Sequence, residues 1–375
     1  MRSPDDRLEQ VAASLPRRRP RTDLAGAEEL AARAGVPLPA RAAVVVGTNG
    51  KTSTATFLAR ALQAGGLQVG LTVSPHLRRW SERVLVGGAE ISAVELADRV
   101  EALSAVAIGL DVRFFDLLTF AAAQVFADSL VDVAVFEAGI GGRTDATRLL
   151  RPQLVALTGI GLDHTELLGP DERSILAAKL GVAAPGSLVV SAPLGPELVA
   201  DAERLAAAGG FGIVWPELPG VTFLERNAAL ARTVAARVLP GAAAADLGGV
   251  TGRMQRLRAG GVEVILDAGH NEQAWATLAH ELPERFVAVV SVSSDKDLAG
   301  LRAALRGAAS VVATCAWPGR SVGAPELAGA VGGESVADPR TATRAGLGRA
   351  RKLAVPLVVF GSAYLLRHAL DELGL

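Results

Sequence analysis

The sequence predicts an α/β protein built on parallel sheets, and three observations carry that expectation. Residues 42–190 alternate β-branched runs with helical patterns. The first run ends in Gly47-Thr48-Asn49-Gly50-Lys51-Thr52 and passes straight into a helical pattern. Periodicity then fades through an Ala-, Gly- and Pro-rich stretch at 205–250 and restarts beyond Gly248-Gly249. The 375 residues thus divide into a larger domain, 1–248, and a smaller α/β domain, 249–375.

Each element has its reason. Residues 42–46 are apolar and β-branched, a strand, and the helical pattern after the loop runs to about 64. A strand follows at 68–73 and a helix at 92–103. The 117–129 stretch is a largely apolar helix, so it should be buried. Residues 131–136 are apolar on both faces apart from Asp132, which suits a central strand covered on both sides. A strand at 154–158 and a helix at 172–180 complete the first domain; strands at 262–266, 286–292, 310–314 and 357–360, with helices between, form the second.

Half of the residues are hydrophobic, enough for well-filled cores. The formal net charge of −1 leaves no electrostatic footprint for nucleic acid. Arg17, Arg18, Arg19 and Arg21, broken by Pro16 and Pro20 and without interleaved aromatics, read as a solvated loop. The single cysteine, Cys315, excludes an intrachain disulfide and a cysteine-rich zinc site. The polar N-terminus lacks the apolar core of a signal peptide, and charges or glycines interrupt every apolar stretch short of the ~18 residues that span a bilayer. The expectation is a soluble, cytoplasmic protein that contacts neither membrane nor nucleic acid.

The loop after the first strand has the layout of a phosphate cradle. Small residues let backbone N–H groups approach phosphate oxygens at a helix N-terminus, Lys51 reaches the terminal phosphates and the Thr52 hydroxyl a Mg²⁺ ion. It is shorter than the general G-x-x-x-x-G-K-[ST] form, since Gly47 stands only three residues before Gly50. A plain strand-to-helix turn with an exposed lysine is the alternative. Ligands of open parallel sheets bind beyond the carboxyl ends of the strands. There the other strands deliver Ser74-Pro75-His76, Glu137 with its Gly141-Gly142 turn, and Asp163-His164. Singly these read equally as a helix cap, a surface acid and a packed loop histidine; together on one edge they read as a hard-oxygen metal and phosphate site.

Longer segments carry a family resemblance. Ser74-Pro75-His76-Leu77 with Glu82-Arg83, Phe136 to Thr147 (with Gly141-Gly142-Arg143-Thr144-Asp145-Ala146-Thr147), Gly161 to Gly169 (with Leu162-Asp163-His164-Thr165), Gly252-Arg253-Met254-Gln255, Asp267-Ala268-Gly269-His270-Asn271, Asp295-Lys296-Asp297 and Gly361-Ser362 occur in order over nearly the whole chain. The chain resembles the folylpolyglutamate synthase/dihydrofolate synthase family of the Mur ligase superfamily. The resemblance implies a parallel-sheet P-loop ATPase domain over 1–248, with a substrate segment at its N-terminus. It implies a Rossmann-like, amino-acid-binding ligase domain over 249–375. The implied activity is ATP- and Mg²⁺-dependent addition of L-glutamate to dihydropteroate or tetrahydrofolate through an acyl phosphate, by a monomer acting on small molecules.

The same resemblance implies residue roles. Thr48, Asn49, Gly50, Lys51 and Thr52 hold the ATP phosphates, and Asn227, Arg253 and Asp267 make further nucleotide contacts, Asn227 and Arg253 across the domain gap. Thr52, Ser74 and Glu137 ligate one Mg²⁺ and His164 a second. Lys179 stands where the family has a carbamylated lysine, an ordinary helix-surface lysine being the alternative. His270 lies near the incoming amino acid. Lys51, Glu137, His164, Lys179 and His270 form the catalytic set. Asp23, Leu24, Arg113, Phe114, Phe115, Asp116, Thr144, Asp145 and Ala146 are the implied substrate residues.

Several departures bear on substrate. Arg113-Phe114-Phe115-Asp116 replaces Thr-Phe/Tyr-Phe-Glu at the pterin pocket, and Asp116 is the expected partner of a buried Arg113 guanidinium. The phosphate loop ends Lys51-Thr52-Ser53, Asp267-Ala268-Gly269 swaps two small residues, and Ala25 stands before Gly26 in the N-terminal segment. Three functions remain open: a folate ligase, a paralogous ligase for another carboxylate, and a nucleotide-binding module without activity.

Overall fold

The structure, a computed structural model, describes residues 2–15, 21–242, 246–298 and 300–375. The arginines at 17, 18 and 19 lie outside them. The chain forms two compact units, Met1–Leu247 and Gly248–Leu375.

The first unit holds β1 (Ala42–Val46), β2 (Val69–Thr72), β3 (Val84–Val86), β4 (Ala89–Glu90), β5 (Val133–Glu137), β6 (Leu154–Leu157), β7 (Leu188–Ser191) and β8 (Gly212–Val214). They form one sheet in the order β4-β3-β2-β5-β1-β6-β7-β8. Every residue of β1 and β5 is buried, which is why both runs are free of polar alternation until Glu137 closes β5. The helices are α1 (Pro4–Ser14), α2 (Ala25–Arg33), α3 (Lys51–Ala64), α4 (Ala93–Val106), α5 (Phe114–Asp128), α6 (Thr165–Leu168), α7 (Glu172–Leu180), α8 (Pro196–Gly209) and α9 (Phe223–Val238).

Four expectations need correction. The sheet is not wholly parallel: β3 pairs antiparallel with β2 and with β4. The Gly87-Gly88 turn between β3 and β4, both residues at positive φ, makes that hairpin. The strand expected at 131–136 is shifted to Val133–Glu137, because the Val131 N–H is spent on the Phe126 carbonyl in closing α5. Helix α5 starts three residues early, at Phe114, because Asp116 accepts the Arg113 N–H at 2.8 Å and caps it. The 205–250 stretch is not mere punctuation: it contains β8 and α9, the latter begun by a Thr222/Glu225 capping box and lying against α3.

The second unit holds β9 (Gln255–Ala259), β10 (Val262–Asp267), β11 (Phe286–Val290), β12 (Ala308–Ala313), β13 (Glu334–Ser335) and β14 (Leu357–Phe360), in the order β13-β12-β11-β14-β10-β9. Only β9, paired antiparallel with β10, departs from the parallel arrangement among the described residues. Helices α10 (Glu272–Glu281), α11 (Leu301–Ala304), α12 (Ala324–Val331), α13 (Pro339–Leu353) and α14 (Ala363–Leu373) complete it. Among the described residues no helix is long and apolar enough to cross a membrane.

Candidate active site

The loop between β1 and α3 is shaped by contacts that leave no room for side chains. Gly47 sits at φ +147°, and a Cβ on it would collide with the Thr158 hydroxyl. Gly50, the left-handed N-cap of α3 at φ +82°, would drive a Cβ to within 2.9 Å of the Asn227 carboxamide. Asn227 therefore packs on the loop from within the same unit, and not from across a domain gap as expected. The exit of β6 braces the other side. Thr48 Oγ1 donates to the Gly161 carbonyl at 3.0 Å and accepts its N–H at 3.1 Å, and Thr158 Oγ1 donates to the Asn49 carbonyl at 2.5 Å. Lys51 Nζ donates to the Gly47 and Thr48 carbonyls, each at 3.0 Å.

Beside this loop lies Glu137, the last residue of β5. It is 3% exposed, which removes its reading as a surface acid. The Thr52 hydroxyl lies 3.1 Å from Glu137 Oε1 and 3.2 Å from the Ser74 carbonyl. Ser74 N–H donates to Glu137 Oε2 at 2.8 Å, and Glu137 N–H to Thr72 Oγ1 at 3.3 Å. The structure thus brings Thr52, Ser74 and Glu137 together. The set offers hard oxygens and a single buried carboxylate. Mg²⁺ takes one or two carboxylates and completes its shell with substrate phosphates and water, so these residues fit it.

Lys179, on α7, is 3% exposed, so it is no helix-surface lysine. Its Nζ donates to the Ile140 carbonyl at 3.1 Å. Burial, then repulsion by Lys51, pushes its amine down to about 7, against the pull of Asp163 and Asp145. Asp145 accepts from Gly139 N–H, Thr147 N–H and Thr147 Oγ1 at 2.9, 3.0 and 2.7 Å, and burial raises its carboxyl. His164 is held in the left-handed region at φ +51°, its ring 3.7 Å from Glu166 and 3.9 Å from Asp163.

In the second unit, Asp267 ends β10 and is 5% exposed. It accepts Met254 N–H at 2.9 Å and Gly269 N–H at 2.7 Å, clamping the turn that carries Arg253 to the loop that carries His270. Burial raises its carboxyl, with Arg253 pulling the other way. His270 Nδ1 lies 3.1 Å from the Ala268 carbonyl, and Asn271 caps α10.

Comparison with known proteins identifies the scaffold. Residues 252–362 match the glutamate ligase domain of Mur ligases. The dihydrofolate synthase/folylpolyglutamate synthase of Escherichia coli is 32% identical over 313 residues, 74% of this chain and 73% of that protein. The chain belongs to the folylpolyglutamate synthase/dihydrofolate synthase family. The E. coli member solved with DHPP and ADP superposes with a TM-score of 0.86 at 26% identity, over 98% of this chain and 97% of that one. A family member solved with Mn, AMPPNP and L-glutamate gives 0.85 at 28% identity, over 100% and 98%.

Within this family member the implied substrate residues fall into different environments. Phe114 meets Trp80 edge-on at 4.9 Å, and the Phe115 ring lies beside Gly139. Asp116 pairs directly with a different guanidinium and acts on the Arg113 side chain as a nearby charge. From Arg113 it takes the backbone N–H, and its ion pair is with Arg21 at 2.8 Å, both side chains at most 4% exposed. Burial and the charge of Arg21 hold the Arg113 guanidinium below its usual range. Asp23 Oδ1 accepts the N–H of Ala25, the first residue of α2, at 3.0 Å. Leu24 and Ala146 are buried in the hydrophobic core, which explains their apolar character without a ligand, and Thr144 sits next to the buried Asp145. Arg21, read from the sequence as part of a solvated basic loop, is instead buried against Asp116, and sequence reasoning gave no role to Trp80, Glu82 or Arg83. Glu82-Arg83 was visible as a motif, whereas the Arg21–Asp116 pair spans 95 positions and left no local signal.

Proposed function

We propose that this protein is an ATP- and Mg²⁺-dependent ligase that joins L-glutamate to the carboxylate of dihydropteroate, of tetrahydrofolate, or of both. The convergence of Thr52, Ser74 and Glu137 on the edge of a phosphate loop, in a chain of this family, carries the reading. The substrate carboxylate attacks the γ-phosphorus of ATP, ADP leaves, and an acyl phosphate forms. Lys51 neutralises charge on the transferring phosphoryl group. Thr52, Ser74 and Glu137 would hold Mg²⁺, which when bound offsets phosphate charge. The neutral amine of glutamate then attacks the acyl carbon, phosphate departs, and an amide remains. Asp267 fixes the loop that presents His270 for the amino-acid half of the reaction.

Lys179 and His164 are assigned to a second cation. An amine pushed down to about 7 is substantially neutral at physiological pH, the form that adds CO₂ to give a carbamate and a proton. The enzyme acts on small molecules, as a cytoplasmic monomer. The decisive test is ATP-dependent phosphate release with dihydropteroate or tetrahydrofolate plus glutamate, against a panel of other carboxylates. Release with no folate acceptor overturns the reading.

One observation favours a second reading, a ligase of the same mechanism for a different carboxylate. Arg113 stands beside a second guanidinium, Arg21, whose own carboxylate partner is Asp116. Two neighbouring guanidiniums set among Asp116, Asp111 and Asp145, one of them where the resemblance implies threonine, suit an acceptor bearing an anionic group that pterin lacks.

A further inference from the structure

The connection from β2 to β3 is tied at its base, where Val73 N–H donates to the Arg83 carbonyl at 3.1 Å. Inside it, three consecutive backbone N–H groups converge on one side chain. Leu77 N–H donates to Glu82 Oε2 at 2.7 Å, and Arg78 and Arg79 N–H donate to Glu82 Oε1 at 3.0 and 2.9 Å. Successive N–H groups aimed at one point make an anion-binding concavity. Here the chain fills it with its own carboxylate. The next residue, Arg83, donates from Nε to His76 Nδ1 at 2.9 Å, which makes that nitrogen the acceptor and places the ring proton of a neutral His76 on Nε2. Arg83 also lies over the Trp80 ring, 4.4 Å from its centroid.

The same loop begins with Ser74, whose N–H is bound by Glu137 and whose carbonyl lies 3.2 Å from the Thr52 hydroxyl. The segment from Ser74 to Arg79 is therefore fastened at one end by Glu137 and at the other by Glu82. A loop held only at its first residue samples many conformations, and few of them keep Ser74 facing the phosphate loop.

We infer that Glu82 is a positioning residue, whose carboxylate fills the concavity of Leu77, Arg78 and Arg79 and so fixes Ser74 for the Mg²⁺–nucleotide complex. The inference rests on the proposed ATP-dependent function. The Glu137 end sets where Ser74 sits, and the Glu82 end sets how firmly.

The test is calorimetric titration of the full chain with AMPPNP at increasing Mg²⁺, together with melting curves. Glu82→Ala is expected to raise the Mg²⁺ concentration for half-maximal nucleotide binding about tenfold, as for other residues that orient metal ligands, with the melting temperature little changed. Excess acetate, a free carboxylate able to enter the vacated concavity, should restore the wild-type midpoint. Glu82→Gln keeps the shape but sets an amide NH₂ against N–H donors, so it should show the shift without acetate rescue. A Mg²⁺ midpoint equal to that of wild type in both variants overturns the inference. So does a shift that acetate leaves untouched in Glu82→Ala while the melting temperature falls, which would make Glu82 merely structural. Wild-type binding of AMPPNP that ignores Mg²⁺ would overturn the functional reading itself, and this inference with it.

Discussion

Glu137 joins a buried negative charge to a hydroxyl and an N–H within hydrogen-bond reach. Glu137→Gln keeps the shape and removes the charge. Ligase turnover should fall about a hundredfold or more even at saturating Mg²⁺, with the circular dichroism spectrum unchanged. Near-normal turnover would remove Glu137 from the metal site. Lys51→Ala should abolish phosphate release while moving the melting temperature by only about 2 °C, because a half-buried lysine at the start of α3 adds little to the core. Lys179 gives a pH signature. Its amine is lowered in the folded chain from 10.5 to about 7, so between those values the unfolded chain binds more protons and stability rises with pH. Denaturant melts of wild type and Lys179→Met should show wild type gaining on the variant as pH climbs through that window; parallel curves would contradict the burial. Lys51 and Glu137 were legible in the sequence because one stands just beyond the turn that leaves a strand and the other closes one. The burial of Lys179 was not, because the loop that covers it comes from residues 140–143, far away along the chain.

Helix α5 shows how an element's start decides a substrate pocket. Its cap uses the Arg113 backbone, and Arg21 neutralises Asp116, so the Arg113 side chain is dispensable to both. Arg113→Thr should leave the fold intact and keep kcat/KM for dihydropteroate or tetrahydrofolate within a few-fold. A wild type inert with every folate, and a variant that gains folate activity, would favour the second reading. Arg21→Met is expected to be far more harmful to stability, costing about 3 kcal/mol in denaturant melts, since it strands the buried Asp116 carboxylate. At this scale the sequence was legible where pattern and burial agree, as in β1, α3, α7 and β14. It was illegible where long-range pairing overrides local pattern. The Gly87-Gly88 hairpin was a readable turn signal that a strictly alternating βα expectation passed over. Helix α9, rich in alanine, hid inside a stretch taken for a boundary because its capping box begins only after a Gly- and Pro-containing loop.

The whole molecule combines a phosphate-loop unit and a second α/β unit, each a sheet with mainly parallel strands. Ligand linkage should be visible at this scale. AMPPNP with Mg²⁺ at about a hundred times its Kd should add roughly 2.7 kcal/mol to the unit that binds it, and neither Mg²⁺ alone nor nucleotide with Glu137→Gln should match that. Equal stabilisation of wild type and variant would place the nucleotide elsewhere. The position of Glu137 has a last consequence. It closes β5, an interior strand hydrogen-bonded on one side to β1 and on the other to β2. Amides in such a strand exchange with solvent deuterium only when the sheet itself opens, whereas loops and edge strands exchange through small local fluctuations. The acid at the heart of the site therefore belongs to the last part of the unit to come apart. On slow heating, loss of activity through displacement of Glu137 should coincide with deuterium uptake across β1 and β5, and should not precede it.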